Sequence, residues 1–413
     1  MIKTRFLFTI LLVALYAAIV NAQQPIKDLK PTVILISLDG FRYDYLDKYH
    51  PPTMEALAKD GVRARWMIPS FPTKTFPNHY TIVTGLYPGH HGIVSNNIAD
   101  PALPGRFTLS NREVQQDTRW WGGEPIWVTV ERQGLIAATM FWPGSDVEIA
   151  HDRPTYFRVF DNKLTNDARV DQLIEWLGQP QATRPTFLTM YFSDVDTAGH
   201  RYGPETPETR DAVLRVDTAF DRLRLGIERL GIPNVNYIVL SDHGMSALSR
   251  DRVIVLDDYL DLSTVEVLDS SPILGLSPKP GISAAAVYAA LHGKHPALEV
   301  YTRSTLPAQY KLTNHPRMPE IIGIADDGWN ITTRRRQQEE ERRDDPESGG
   351  THGYDPKHRS MHGLFIAAGP RFKVGLTVPA FENINVYELM CRVLGLKPAP
   401  NDGDGRVTAG FLR

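Results

Sequence analysis

The sequence predicts a doubly wound α/β fold: a mostly parallel sheet with a smaller α+β subdomain inserted. Three observations carry that expectation. First, four apolar runs (33–38, Phe187–Phe192, 237–240 and 364–367) lack the polar alternation of a half-exposed strand. Central parallel strands are buried on both faces and read that way. Second, helical stretches lie between them, for example 167–177 and Pro207–Leu230. The latter carries Ala212, Val213, Val216, Phe220, Leu223 and Ile227 at helical spacing. Third, the rhythm breaks between 251 and 349, where strand-like pieces (253–256, 285–288) alternate with helix-like ones in a shorter cadence. The expected organisation is therefore a main domain over 30–250 and 350–400, with an α+β insertion at 251–349. The charge-dense stretch 334–347 inside that insertion reads as a solvated loop or helix face.

The first residues read as an address. Lys3 and Arg5 precede an apolar run over 6–20, and Val20-Asn21-Ala22 supplies small residues suited to cleavage. The run is short for a bilayer span. The expectation is a signal peptide over 1–22, a mature chain starting at Gln23 with no membrane span, and export to a periplasm or the outside. The single cysteine, Cys391, excludes an internal disulfide and a cysteine-rich zinc site, and its apolar helical setting makes it a buried thiol. Export without disulfides fits a periplasm at this size, since a large core needs no covalent staples. The 413 residues carry a net charge of −3. Nothing in that balance points to a broad basic surface, which argues against polymeric nucleic acid as the main ligand. A small anionic substrate held through metal remains open.

Chemistry concentrates at strand ends. Three of the four apolar runs lead into aspartate: Leu38-Asp39-Gly40, Ser193-Asp194-Val195-Asp196 and Ser241-Asp242-His243-Gly244. In an open parallel sheet, ligands sit outside the carboxyl ends of the strands, so these carboxylates converge. His200 follows Asp196 by four residues, His243 adjoins Asp242, and His362 precedes the last run. Carboxylate and imidazole together suit zinc, and six such ligands suit two ions. Any one of these residues alone reads as a helix cap or a surface histidine. A nucleophile is then needed. Pro77 fits a first helical turn, which places Thr75 near a helix N-terminus, where it is either an N-cap or a hydroxyl facing the positive end of the dipole.

Longer motifs carry a resemblance. Ser37-Leu38-Asp39-Gly40, Pro72-Thr73-Lys74-Thr75-Phe76-Pro77-Asn78-His79, Gly85-Leu86-Tyr87-Pro88-Gly89-His90-His91-Gly92 and Ser241-Asp242-His243-Gly244-Met245 resemble the nucleotide pyrophosphatase/phosphodiesterase family of the alkaline phosphatase superfamily. Gly123-Glu124-Pro125-Ile126-Trp127, Arg153-Pro154-Thr155-Tyr156-Phe157 and Gly350-Thr351-His352-Gly353-Tyr354 add to the likeness, which spans about 31–396. It implies an alkaline-phosphatase-like sheet and two zinc ions. One zinc would be held by Asp39, Thr75, Asp242 and His243, the other by Asp196, His200 and His362. It further implies Thr75 as the nucleophile, through a phosphothreonine intermediate. Asn96 becomes the donor to a non-bridging phosphate oxygen, with Asn97 the alternative one position on. Phe76, Tyr156 and Tyr191 would line the substrate pocket, with Trp142 as an addition, while Lys74 flanks the nucleophile or faces solvent. One departure is visible: the family's Glu-Pro-Asp before Gly-His is here Ser193-Asp194-Val195-Asp196, which leaves Asp196 and its spacing to His200 intact.

The implied activity is hydrolysis of nucleotide diesters (nucleoside triphosphates, dinucleotides, nitrophenyl nucleotide esters) to nucleoside monophosphates. The alternative on the same site is a phosphocholine- or lysophospholipid-type diesterase. A phosphomonoesterase is disfavoured, because no arginine flanks Thr75 to clamp a dianion. A sulfatase lacks its modifiable Cys or Ser, and a binding protein that had lost catalysis would lack ligands.

Overall fold

The computed structural model describes residues 30–342 and 349–413; the expected signal peptide lies outside them. An eight-stranded sheet organises the molecule. Its strands in chain order are β1 (Thr32–Leu38), β2 (Val62–Ala64), β3 (Ala137–Met140), β4 (Tyr156–Arg158), β5 (Phe187–Phe192) and β6 (Val235–Leu240). After the insertion the sheet continues with β11 (Phe365–Ala368) and β12 (Leu376–Val378), in the spatial order β12-β2-β11-β6-β1-β5-β3-β4. The insertion contributes β7 (Val265–Asp269), β8 (Ile273–Pro278), β9 (Leu298–Thr302) and β10 (Ile321–Ala325) as a separate antiparallel sheet, ordered β7-β8-β10-β9.

β1 shows why its residues are all apolar. Successive side chains point to opposite faces: Val33 and Leu35 enter one core, while Ile34, Ile36 and Leu38 enter the other. The helices used below are, in chain order, α1 (Pro52–Lys59), α2 (Thr75–Thr84), α3 (Asn166–Leu177), α4 (Asp194–Tyr202), α5 (Pro207–Leu230), α6 (Ala284–Leu291) and α7 (Val386–Leu394). Tyr80 and Val83 of α2 and Val386 and Leu389 of α7 cover the first face; Leu173 of α3 and Val213 and Phe220 of α5 cover the second. Local signals set the long helix α5. The Thr206 side chain accepts the Thr209 N–H, Pro207 occupies the first turn, and Gly231 closes the end at φ 64°.

Two sequence expectations need correction. The last apolar run forms β11, but it runs antiparallel to β6 and β2. The chain re-enters the main sheet through residues 352–363 at the carboxyl end of β6, so its next strand must start where its neighbours stop. Residues 285–288, read as a strand, belong to α6. Alanine is the strongest helix former, and the Ser283 side chain caps the start by accepting the Ala286 N–H.

In the charge-dense stretch, Arg334–Arg342 is a helix, solvent-facing over most of its described side chains. Cys391 is a free, buried thiol on α7. Arg317, between β9 and β10, ties the smaller sheet to the chain around the large one: its guanidinium donates to the Asp100 carboxylate (2.6 Å) and to the carbonyls of Gly92 and Trp120 (2.7 Å each). Among the described residues no helix is long and apolar enough to cross a membrane.

Candidate active site

Parallel β1, β5 and β6 deliver their aspartates to one edge of the sheet. Gly40 makes the approach possible: its φ is +68°, and a Cβ there would stand 2.9 Å from Cα of Asp196. Only glycine fits both the backbone and the space. Asp39, Asp242 and His243 are almost fully buried.

His243 donates its Nδ1–H to the Gly244 carbonyl (2.9 Å), which turns Nε2 towards Asp242 Oδ2 (3.0 Å), Asp39 Oδ1 (3.3 Å) and Thr75 Oγ (3.3 Å). α4 carries Asp196 and His200 one turn apart, with Oδ1 and Nε2 separated by 3.4 Å. His200 donates Nδ1–H to the Gly350 carbonyl (2.9 Å). The third imidazole here belongs to His352. It donates Nδ1–H to the Thr73 carbonyl (2.8 Å), and its Nε2 lies 3.1 Å from that of His200 and 3.6 Å from Asp196 Oδ1.

His362 is placed elsewhere. Its Nε2–H donates to the Pro356 carbonyl (2.8 Å), and its ring stacks on Trp66 at 5.8 Å. It joins neither buried group of converging ligand atoms, Asp196–His243–His352 or Asp39–His79–Asp242.

The electrostatics ask for cations. With each Nδ1–H spent on a carbonyl, the Nε2 lone pairs of His200 and His352 face one another. Three buried carboxylate oxygens close by (Asp39 Oδ1, Asp196 Oδ1 and Asp242 Oδ2) have no hydrogen-bond donor. Uncompensated, such groups cost several kcal/mol. Burial, with the charges of Asp242 and Asp196, pushes the Asp39 carboxyl well above the usual range. Burial opposes ionisation of Asp242 as well, but His243 and His79 beside it hold that carboxyl well below. Burial, then the neighbouring His243 and His200, keeps His352 neutral well below its ordinary range, the form a metal ligand needs. Mixed nitrogen and oxygen donors of this kind fit divalent zinc.

Around this cluster sit the remaining expected residues. Thr75 opens α2 with its hydroxyl at the ligand cluster. The Asn96 side-chain oxygen accepts the Phe76 N–H (3.0 Å), which leaves its amide nitrogen to donate. Tyr191 donates its hydroxyl to Asp39 Oδ2 (2.5 Å), which fixes that carboxylate in place. Phe76 packs half-buried against Phe107 and Trp121.

Tyr156 is not brought to the site. It starts β4 opposite Ala138 and donates its hydroxyl to the Thr183 carbonyl (3.1 Å), at the amino end of the sheet. Phe160, past the other end of the same strand, is 47% exposed, with its ring 6.0 Å from that of Tyr191. Trp142 lies beneath the site, donating its indole N–H to the His79 carbonyl (3.0 Å).

Sequence reasoning passed over His79 as a site residue. Its Nδ1 is 3.2 Å from Asp242 Oδ2 and 2.9 Å from the Thr75 carbonyl, and its Nε2 is 2.8 Å from Ser37 Oγ. The four-residue offset from Thr75, one face of one helix, was the available signal.

The sequence profile described as Type I phosphodiesterase / nucleotide pyrophosphatase matches residues 33–355. The chain belongs to that family. An uncharacterized pyrophosphatase/phosphodiesterase of Schizosaccharomyces pombe is 39% identical over 383 residues, covering 90% of this chain and 78% of the relative. A venom phosphodiesterase of Macrovipera lebetinus is 38% identical over 392 residues, covering 92% of this chain. The chain spans 45% of that venom protein's length. Among solved structures, the inactive threonine-to-alanine variant of murine ectonucleotide pyrophosphatase/phosphodiesterase 5 in complex with AMP superposes with a TM-score of 0.87 at 35% identity. That match covers 93% of this chain and all of the other. The fold is accordingly alkaline-phosphatase-like.

Proposed function

We propose that the chain is a two-zinc phosphodiesterase that hydrolyses nucleotide diesters and pyrophosphates to nucleoside monophosphates, with Thr75 as the nucleophile. One observation carries the reading: the Thr75 hydroxyl sits at the start of α2, 3.3 Å from Nε2 of His243, with Asn96 docked on the next residue's N–H. One ion would be held by Asp39, Thr75, Asp242 and His243, the other by Asp196, His200 and His352, the last replacing His362. When bound, the metals neutralise the carboxylates, lower the pKa of a coordinated hydroxyl and stabilise charge on the phosphoryl oxygens.

Thr75 Oγ attacks phosphorus in line, and a phosphothreonine forms as the ester or anhydride oxygen leaves. Asn96 donates its amide N–H to a non-bridging oxygen as negative charge builds there, in the manner of an oxyanion hole. Water then attacks phosphorus from the opposite side and releases the monophosphate. Tyr191 holds Asp39 in register, and His79, tied to Asp242, the Thr75 carbonyl and Ser37, fixes the first turn of α2 against β1 and the Asp242 loop. Phe76 and Tyr191 with Phe160, in place of Tyr156, offer flat apolar surface for a base. The structural neighbour solved with AMP supports a nucleoside monophosphate as product, and the venom relatives support export.

The test is hydrolysis of the nitrophenyl ester of thymidine monophosphate, against nitrophenyl phosphate and nitrophenyl phosphocholine, before and after chelation and zinc add-back. Preference for the nucleotide diester, lost on chelation and restored by zinc, is the expected result. Faster monoester turnover overturns it, and faster phosphocholine turnover moves the chain to the lipid-headgroup reading.

A further inference from the structure

Asp269 ends β7 in the insertion, 195 residues from Lys74 and 174 from Ser95, yet one of its oxygens joins the segments that carry Thr75 and Asn96. Oδ2 accepts Lys74 Nζ–H at 2.5 Å and Ser95 Oγ–H at 2.7 Å. Lys74 precedes Thr75 and Ser95 precedes Asn96. The Phe76 N–H donating to Asn96 Oδ1 closes a ring of contacts through Asp269, Lys74, Thr75, Phe76, Asn96 and Ser95. The second oxygen, Oδ1, accepts the Ser270 N–H (3.1 Å), which fixes the carboxylate's orientation.

Lys74 therefore does not face solvent. Its side chain is 7% exposed and that of Asp269 11%. Its stem crosses Gly353, where an added Cβ would stand 3.2 Å from Lys74 Cε, next to His352. The register of β7 slips between Val267 and Asp269, which makes a bulge at the strand end. Bulges re-aim side chains in this way beside active sites.

We infer that Asp269 is a positioning residue: its carboxylate sets the separation between the Thr75 hydroxyl and the Asn96 amide, so the inserted subdomain holds the attacking group and the phosphate donor in register. The inference rests on the proposed roles of Thr75 and Asn96. It assigns the insertion a part in turnover and none in metal ligation. A plain inter-domain ion pair would instead contribute to stability alone.

The experiment compares full-length wild type, D269A, D269N, N96A and the D269A/N96A double variant on the nitrophenyl thymidine diester at saturating zinc, with metal content and folded fraction measured for each. D269A is expected to lower kcat per folded molecule about 10- to 100-fold with KM changed less than about 3-fold, because a misplacement of about 1 Å costs on the order of 10² in rate. D269N keeps an acceptor oxygen for Lys74 and Ser95 but turns its amide NH2 towards the Ser270 N–H, so it is expected to restore kcat in part, to at least about 3-fold above D269A. In the N96A background, the same alanine change should cost less than about a third as much on a logarithmic scale, since the two residues act through one geometry.

Unchanged kcat per folded D269A molecule, or full additivity with N96A, overturns the inference. If D269A does not fold, S95A decides. It removes one arm only and should lower kcat about 3- to 10-fold, and an unaltered kcat rejects the idea. Wild type that turns over no diester overturns the functional reading, and this inference with it.

Discussion

His352 and His362 both precede a glycine and stand ten residues apart, yet their surroundings separate them completely. The first has its free nitrogen among His200 and Asp196, and the second has its ring on Trp66 and its N–H on Pro356. His352→Ala is expected to lose one of the two proposed metal equivalents and most turnover, while His362→Ala keeps both metals and only melts at lower temperature. Metal analysis of the two purified variants checks this, and equal retention would reject the assignment. Thr75→Ala should bind metal and product yet lose turnover by on the order of 10⁶-fold, as removal of a nucleophile does; single-turnover kinetics read it. Tyr191→Phe deletes the hydroxyl that donates to Asp39. A zinc-buffer titration should show affinity or activity falling about 10- to 100-fold, as for other partners of metal ligands.

Among the elements, the connection after β1 is constrained by a close approach to α4. Gly40 combines a left-handed backbone with a 2.9 Å approach to Asp196, so Gly40→Ala strains the turn and pushes α4 outward. The expected cost is about 1–2 kcal/mol from the backbone alone. Because Asp196 and His200 share α4, the change should also weaken the metal held there. Chemical denaturation with and without chelator separates the two effects: a loss confined to stability, with unaltered zinc affinity, would show that α4 is not displaced. The α2 helix carries a comparable load, presenting Thr75 to the cluster and His79 to Asp242 from successive turns.

For the molecule as a whole, acid stability has an identifiable contributor away from the cluster. His91 is buried, accepting the Ile93 N–H at Nδ1 (3.1 Å) and meeting Thr81 Oγ from Nε2 (3.0 Å). Burial pushes its pKa down to about 3. The unfolded chain therefore binds a proton below about 6.5 that the folded chain refuses. Stability falls as pH drops through that window and levels near the folded value, at a slope of about 1.4 kcal/mol per pH unit for this group. His91→Asn retains the acceptor for Ile93 and should flatten that slope relative to wild type in melts between pH 7 and 4. An identical slope in both proteins would remove His91 as the cause.

The features legible in the sequence were those set by local pattern. Runs of apolar residues made the sheet, helical spacing made α3 and α5, and aspartates closing three strands marked the catalytic edge. Strand direction and α6 escaped that reading, because β11 takes its direction from where the chain leaves the insertion, and four consecutive residues fit either period. Long-range packing brings His352 and not His362 beside Asp196 and His200, and Phe160 and not Tyr156 beside Tyr191. It also decided that Lys74 is paired with Asp269 across some two hundred residues. Those choices depend on which end of a strand a residue occupies and on partners distant in the chain, and neither is encoded in the spacing of neighbours.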